Sequence, residues 1–188
     1  MTSRRHDLRD FDRRDVLKLG AAAALATVPV PAVAHTLPPA KDRRLSFYNL
    51  HTGERLDTLY WSRGDYVAKG LRRINHILRD FRTGEVESID VRLLDALYEL
   101  RRRVDSRQPF HVISGYRSPK TNAMLVSQSN GGVAKKSYHL RGMAIDLRLP
   151  ERDLAQLRRT AMDMQRGGVG YYPSSGFIHV DVGPVRYW

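Results

Sequence analysis

From Leu45 onward the apolar positions run at two periods. Alternating apolar and polar residues mark "RLSFYNLHTGERLDTLYW" (44–61), where two strand-like runs flank a turn at Thr52-Gly53 and predict a hairpin. Helical spacing takes over in 65–82, through Leu71, Ile74, Leu78 and Phe81. It returns in 88–104, through Leu93, Leu97, Leu100 and Val104, with Ser88 or Asp90 placed to cap the helix. "FHVIS" (110–114) predicts a short strand ending at Gly115. "PKTNAMLVSQ" (119–128) predicts a short helix entered through Pro119, since a first helical position does not use its N–H. "MAIDLRL" (143–149) predicts a strand. Leu154, Leu157, Ala161 and Met164 form one stripe of a further helix, ended by Gly167-Gly168. "GVGYYP" and "FIHVDV" then close the chain as strands. The mix is α+β. Short links between the later strands predict a small antiparallel sheet flanked by helices.

The first 34 residues follow a different rule. Arg13 and Arg14 precede an alanine-rich apolar run, Leu19 to Val30, that is short for a membrane span and ends in Ala32-Val33-Ala34. This is the layout of a signal peptide of the twin-arginine type, with cleavage expected after Ala34. A buried alanine-rich helix is the alternative, but Pro29 and Pro31 would break it. Residues 35–44 read as a flexible lead-in, leaving 45–188 as one domain.

The chain of 188 residues carries a net charge of +12. Six Lys+Arg and four Asp+Glu lie before the expected cut, so the exported part keeps +10. Such a surface suits a polyanion: nucleic acid, anionic lipid or an acidic wall polymer. Export counts against nucleic acid. The absence of cysteine excludes disulfides, thiolate metal sites and cysteine nucleophiles. Any metal must be held by His, Asp or Glu.

Three residues fit that requirement. Asp146 stands inside an apolar strand, where an ionised carboxylate is costly unless paired or bound to a cation. His139 lies seven positions upstream. His179 lies in a later strand, with Asp181 on its face by alternation. Two imidazoles and one carboxylate suit a catalytic Zn2+ with one position open for water. The plainer alternatives are an Asp146–arginine ion pair and a hydrogen-bonded structural histidine. Ser114, Tyr116 and Arg117 sit where a strand hands over to a loop. There Arg117 could aim its fork at a carboxylate or oxyanion, and Ser114 and Tyr116 could contact substrate. An ordinary surface turn explains the same spacing. Tyr138 is either a cleft wall or packing. His6 and His51 show no partner pattern, His76 reads as exposed on its helix, His111 reads as a structural strand residue with lining of the site as the alternative, and Arg101 to Arg103 suit the negative end of a helix.

The run "SGYRS", then His139 and Asp146, then a late strand histidine, resembles the zinc D-Ala-D-Ala metallopeptidases, whose fold is shared with the hedgehog signalling domain. Longer blocks, "SFYNLHTGE", "SGYRSPKTNAML", "GVAKKSYHLRGMAIDLRL", "GGVGYYP" and "FIHVDVGPVRYW", resemble the murein endopeptidase K type of periplasmic wall hydrolase. That resemblance implies zinc on His139, Asp146 and His179. It also implies a substrate of peptidoglycan peptide crosslinks containing D-alanine and meso-diaminopimelate. One departure stands out. Dipeptidases of the group carry a general-base glutamate three residues before the last zinc histidine, and here that position is Gly176; other members have a histidine at the position of Phe177. Asp181 is the candidate for taking the water's proton, with orientation of a zinc histidine as its rival role.

The expected function is therefore a periplasmic zinc endopeptidase opening wall crosslinks. A non-catalytic peptidoglycan-binding module, a carboxypeptidase trimming free peptide ends, and a nucleic-acid binder are the competing readings. Stable membrane insertion after cleavage is not expected. The pattern fixes neither an oligomeric state nor a preference between 3–4 and 3–3 crosslinks.

Overall fold

Four helices pack with one eight-stranded sheet in a computed structural model that describes residues 41–129 and 132–188. The signal-peptide expectation, and the lead-in before residue 41, lie outside the described residues. The hairpin forms as β1 (Arg43–Asn49) and β2 (Arg55–Ser62), extended by a two-residue β3 (Asp65–Tyr66). β1 starts at Arg43, inside the stretch expected to be flexible. Arg43 is held there by Asp95 at 2.7 Å, and Arg44 pairs with Asp57. Asp95 also accepts the hydroxyls of Tyr60 and Tyr66, at 3.0 and 2.8 Å, tying the hairpin to the helix it lies on.

Helices α1 (Ala68–Ile77) and α2 (Val91–Arg103) follow. α2 forms because Asp90 caps it, accepting from the Arg92 amide, and because Leu93, Leu97 and Leu100 share a stripe. All three are fully buried, as is Leu94. Each such side chain contributes about 1.5–3 kcal/mol relative to exposure. β4 (Phe110–Ser114), α3 (Pro119–Gln128), β5 (Ala144–Arg148), α4 (Leu154–Asp163), β6 (Gly168–Tyr172), β7 (Phe177–Asp181) and β8 (Arg186–Tyr187) complete the chain.

The strand order is β3-β2-β1-β4-β5-β7-β6-β8. The sheet is mixed rather than wholly antiparallel, because β1–β4 and β6–β8 pair in parallel. The reason is connection length. Between β1 and β4 the chain makes β2, α1 and α2, and such a crossover can return it in the same direction. β6 and β7 pair antiparallel across a short link, whereas β5 and β7 pair antiparallel after the chain has made α4 and β6. There Ile145, Leu147, Ile178, Val180 and Val169 face the core. The opposite face carries a lateral row in which Asp146 pairs with His179, and His179 with Gly170. No helix among the described residues is long and apolar enough to cross a membrane.

Candidate metal centre

His139 is not on a strand. It lies in a single 3-10 turn, Tyr138–Arg141, capped by Ser137 and closed by Gly142. β5 and β7 bring Asp146 and His179 opposite each other in register. All three side chains are buried, and their ligand atoms converge. His139 Nε2 lies 3.2 Å from His179 Nδ1 and 3.2 Å from Asp146 Oδ1, and His179 Nδ1 lies 2.9 Å from Asp146 Oδ1.

The other ring nitrogens fix the tautomers. His139 Nδ1 is 2.7 Å from the Gly115 carbonyl, which only accepts, so Nδ1 carries the hydrogen. His179 Nε2 is 2.9 Å from Asp181 Oδ2 and donates to it. Two bare imidazole nitrogens and a carboxylate oxygen therefore face one another, with no hydrogen between them in the neutral tautomers. That arrangement repels itself unless a cation or an added proton sits among the three. A tetrahedral ion with bonds of about 2.0–2.1 Å spaces its ligand atoms roughly 3.3 Å apart, close to the three separations here. The donor set fits zinc.

Electrostatics agree with a cation site. Burial pushes the Asp146 carboxyl up, but the two imidazoles win and hold it well below the usual carboxylate range. Burial pushes the His179 imidazolium down, and hydrogen bonds to Asp146 and Asp181 reverse that, so its pKa rises.

Asp181 is fully buried. Its Oδ1 accepts from the Gly168 and Gly183 amides and from Arg186 Nη1, at 3.1, 2.8 and 3.1 Å. Its Oδ2 accepts from His179 and from Arg186 Nη2, the latter at 2.7 Å. Arg186 is itself stacked between the rings of Tyr138 and Trp188, each about 5.0 Å from its guanidinium.

Arg117 borders the same site, with Nη2 at 3.4 Å from Asp146 Oδ2 and Nη1 at 3.4 Å from Asn122 Oδ1. These contacts are long, and the buried Nε–H has no protein partner. The loop that carries Arg117 is clamped from two sides. The Tyr116 amide donates to the Leu78 carbonyl and the Arg117 amide to that of His139. Asp80, 2 % exposed, accepts the Ser118 amide at 2.8 Å and the Arg82 amide at 2.9 Å. A cavity of about 790 Å³ opens over the triad, walled by Arg117, Tyr138, Tyr172, Phe177, Arg186 and Trp188 among others.

A family model described as peptidoglycan L,D-endopeptidase MepK matches residues 38–188. The chain belongs to that family. It is 44% identical over 180 residues to the peptidoglycan L,D-endopeptidase MepK of Escherichia coli (strain K12), covering 95% of this chain and 98% of the relative. The Shigella flexneri protein of that name is equally similar. A probable peptidoglycan L,D-endopeptidase MepK of Haemophilus influenzae is 39% identical over 180 residues, covering 95% and 96%.

Of the expected site residues, the fold brings Arg117, His139, Asp146, His179 and Asp181 together. Ser114 and Tyr116 fall outside the described lining of the cavity. Ser114 pairs opposite Asp146 in the sheet, and Tyr116 is buried in the hydrophobic core. Burial raises the Tyr116 phenol, and the acids that add to the rise are Glu85, Glu87 and Asp80. His111 packs edge-on to Tyr48, His51 stacks on Phe81, and His76 sits exposed beside Glu54. Asp80, Asn122, Tyr172, Arg186 and Trp188 were not singled out as site residues from the sequence. Their partners lie far along the chain, and one acid among many has no local mark. Gly176 closes a 3-10 turn (Pro173–Ser175) with φ of 70°. Glutamate in that left-handed conformation would be strained, which accounts locally for glycine at the position where related dipeptidases carry their base.

Proposed function

We propose that the protein is a periplasmic zinc endopeptidase that hydrolyses an L,D peptide bond in peptidoglycan crosslinks. The observation that carries the reading is the meeting of three bare ligand atoms, from His139, Asp146 and His179, in a chain of this family. The L,D-endopeptidase activity named for the family supports a bond joining an L-centre to a D-centre, as between two meso-diaminopimelate residues in a 3–3 crosslink. The leader pattern of residues 1–34 supports export by the twin-arginine route.

Zinc, when bound, supplies an electrophile that activates water and polarises the scissile carbonyl. The Gly115 carbonyl and Asp181 each hold one ring hydrogen, so both histidines present lone pairs to the site. Asp181 takes the orienting role rather than that of the base. Five donors occupy its oxygens, and it is closed to solvent. Arg117 keeps a fixed positive charge on the cavity wall, where its guanidinium can meet a substrate carboxylate or the developing oxyanion.

Purified sacculi test the proposal. The protein should release soluble muropeptides, chelator should stop the release, and zinc should restore it. Product masses should show cut crosslinks. Loss of single terminal residues would make it a carboxypeptidase, and binding without release would make it a wall-binding module.

A further inference from the structure

Apart from Asp146, no carboxylate lines the cavity among the described residues, so whatever else assists the reaction there must be of another type. Two aromatic residues on its wall have an unusual relation. Tyr172 ends β6, paired with Phe177 of β7 and stacked on it with ring centroids 4.7 Å apart. Two residues earlier on the same face, Gly170 pairs with His179. Trp188 lies on this glycine, where an added Cβ would come within 2.7–2.8 Å of the indole. Backbone bonds of Trp188 to Val169 and Tyr171 hold it in place. Its ring sits 5.3 Å from that of His179, and its Nε1 is 2.8 Å from the Tyr172 hydroxyl oxygen.

Chemistry fixes the direction of that last bond. Indole Nε1–H donates and cannot accept, so the Tyr172 oxygen is the acceptor. The phenol's own hydrogen is then free for another partner. Among the described residues no protein acceptor takes it, and the side chain borders the cavity that holds the triad.

We propose that Tyr172 donates its O–H to the scissile carbonyl oxygen as that oxygen gains charge, with Trp188 as the positioning residue that aims it. The proposal rests on the endopeptidase reading and adds a residue to it. Tyr172 and Arg117 then serve the oxyanion from two sides, one neutral donor and one fixed charge. The indole orders a side chain that would otherwise rotate its proton freely. The hydrogen bond suffices, and full proton transfer from Tyr172 to that oxygen is not required.

A double-mutant cycle tests it, with a purified 3–3 crosslinked muropeptide as the probe and zinc content measured for every variant. Tyr172→Phe should lower kcat about 10²-fold, leave KM within about threefold and retain full zinc. Trp188→Phe keeps a ring but loses the N–H, and should lower kcat about tenfold. In the Tyr172→Phe background the same change should cost almost nothing further. The proposal is overturned if Tyr172→Phe keeps kcat within about twofold. It also fails if the loss follows zinc content or unfolding, or if the Trp188 effect persists undiminished without the hydroxyl. Absence of turnover in the unmutated protein would instead refute the endopeptidase reading.

Discussion

Asp181 is placed to serve the proposed centre through His179 rather than by touching substrate. Its five hydrogen-bond donors leave it no free lone pair facing the cavity, and its contact with His179 Nε2 selects the tautomer that frees Nδ1. Asp181→Asn should therefore weaken zinc binding about 10–100-fold, read by competition with a chromophoric chelator, and turnover should recover at saturating zinc. Full affinity with lost turnover would return the proton-transfer role to Asp181. Asp80 offers a second residue-scale test. Burial pushes its carboxyl up, but hydrogen bonds from Thr121, Ser118 and the Arg82 amide outweigh this and hold it at about 2. Its folded pKa is below the ordinary value, so its contribution is whole above about pH 4 and is lost as pH falls through about 2. Asp80→Asn should remove roughly 1–2 kcal/mol at neutral pH and flatten that part of the acid-unfolding profile, measured by denaturant titration. Asp146 and His179 stood out because a histidine or aspartate inside an apolar strand is anomalous on its face, whereas His139, in a turn, was marked only by its spacing from Asp146 and by the family resemblance. Arg186 did not stand out. It is one of many arginines, and only β8 folding beside β6 brings it to Asp181.

Elements with a long periodic stripe formed where expected because burial of that stripe is what forms them, although α1 ends at Ile77 and leaves Leu78 and Phe81 of its expected stripe beyond the helix. α2 is the clearest case, and Leu97→Ala should destabilise the fold by about 2–5 kcal/mol while leaving kcat unchanged below the melting range. Elements whose existence depends on a distant neighbour were missed. β3 and β8 have two residues each, too few for a period, and the turn holding His139 has no apolar pattern at all. The arginines closing α2 also divide in role. Arg103 pairs with Glu99, but Arg101 reaches back to the Arg44 carbonyl at 2.7 Å and joins the helix to the hairpin. β6 and β7 carry the opposite kind of information, since pairing sets their register and a glycine sets the space between strand and indole. Gly170→Ala should displace Trp188 from that face. Its kcat should fall as in Trp188→Phe, with tryptophan fluorescence reporting the shift and zinc content unchanged.

At the scale of the molecule, the centre is assembled where β5 and β7 adjoin a turn and a clamped loop, and the sheet beneath supplies rigidity rather than chemistry. The net charge of +12 in the full sequence belongs to this scale. Turnover on intact anionic sacculi should fall as ionic strength rises from about 0.01 to 0.15 M, while turnover on a small soluble muropeptide should change much less. The central claim is that one divalent ion shared by His139, Asp146 and His179 is required for hydrolysis. Zinc content and muropeptide release, measured together on the same protein before chelation, after it and after zinc is returned, test that claim most directly. One ion per chain, with release lost and regained in step, is the predicted result. Undiminished release by fully metal-free protein would contradict it.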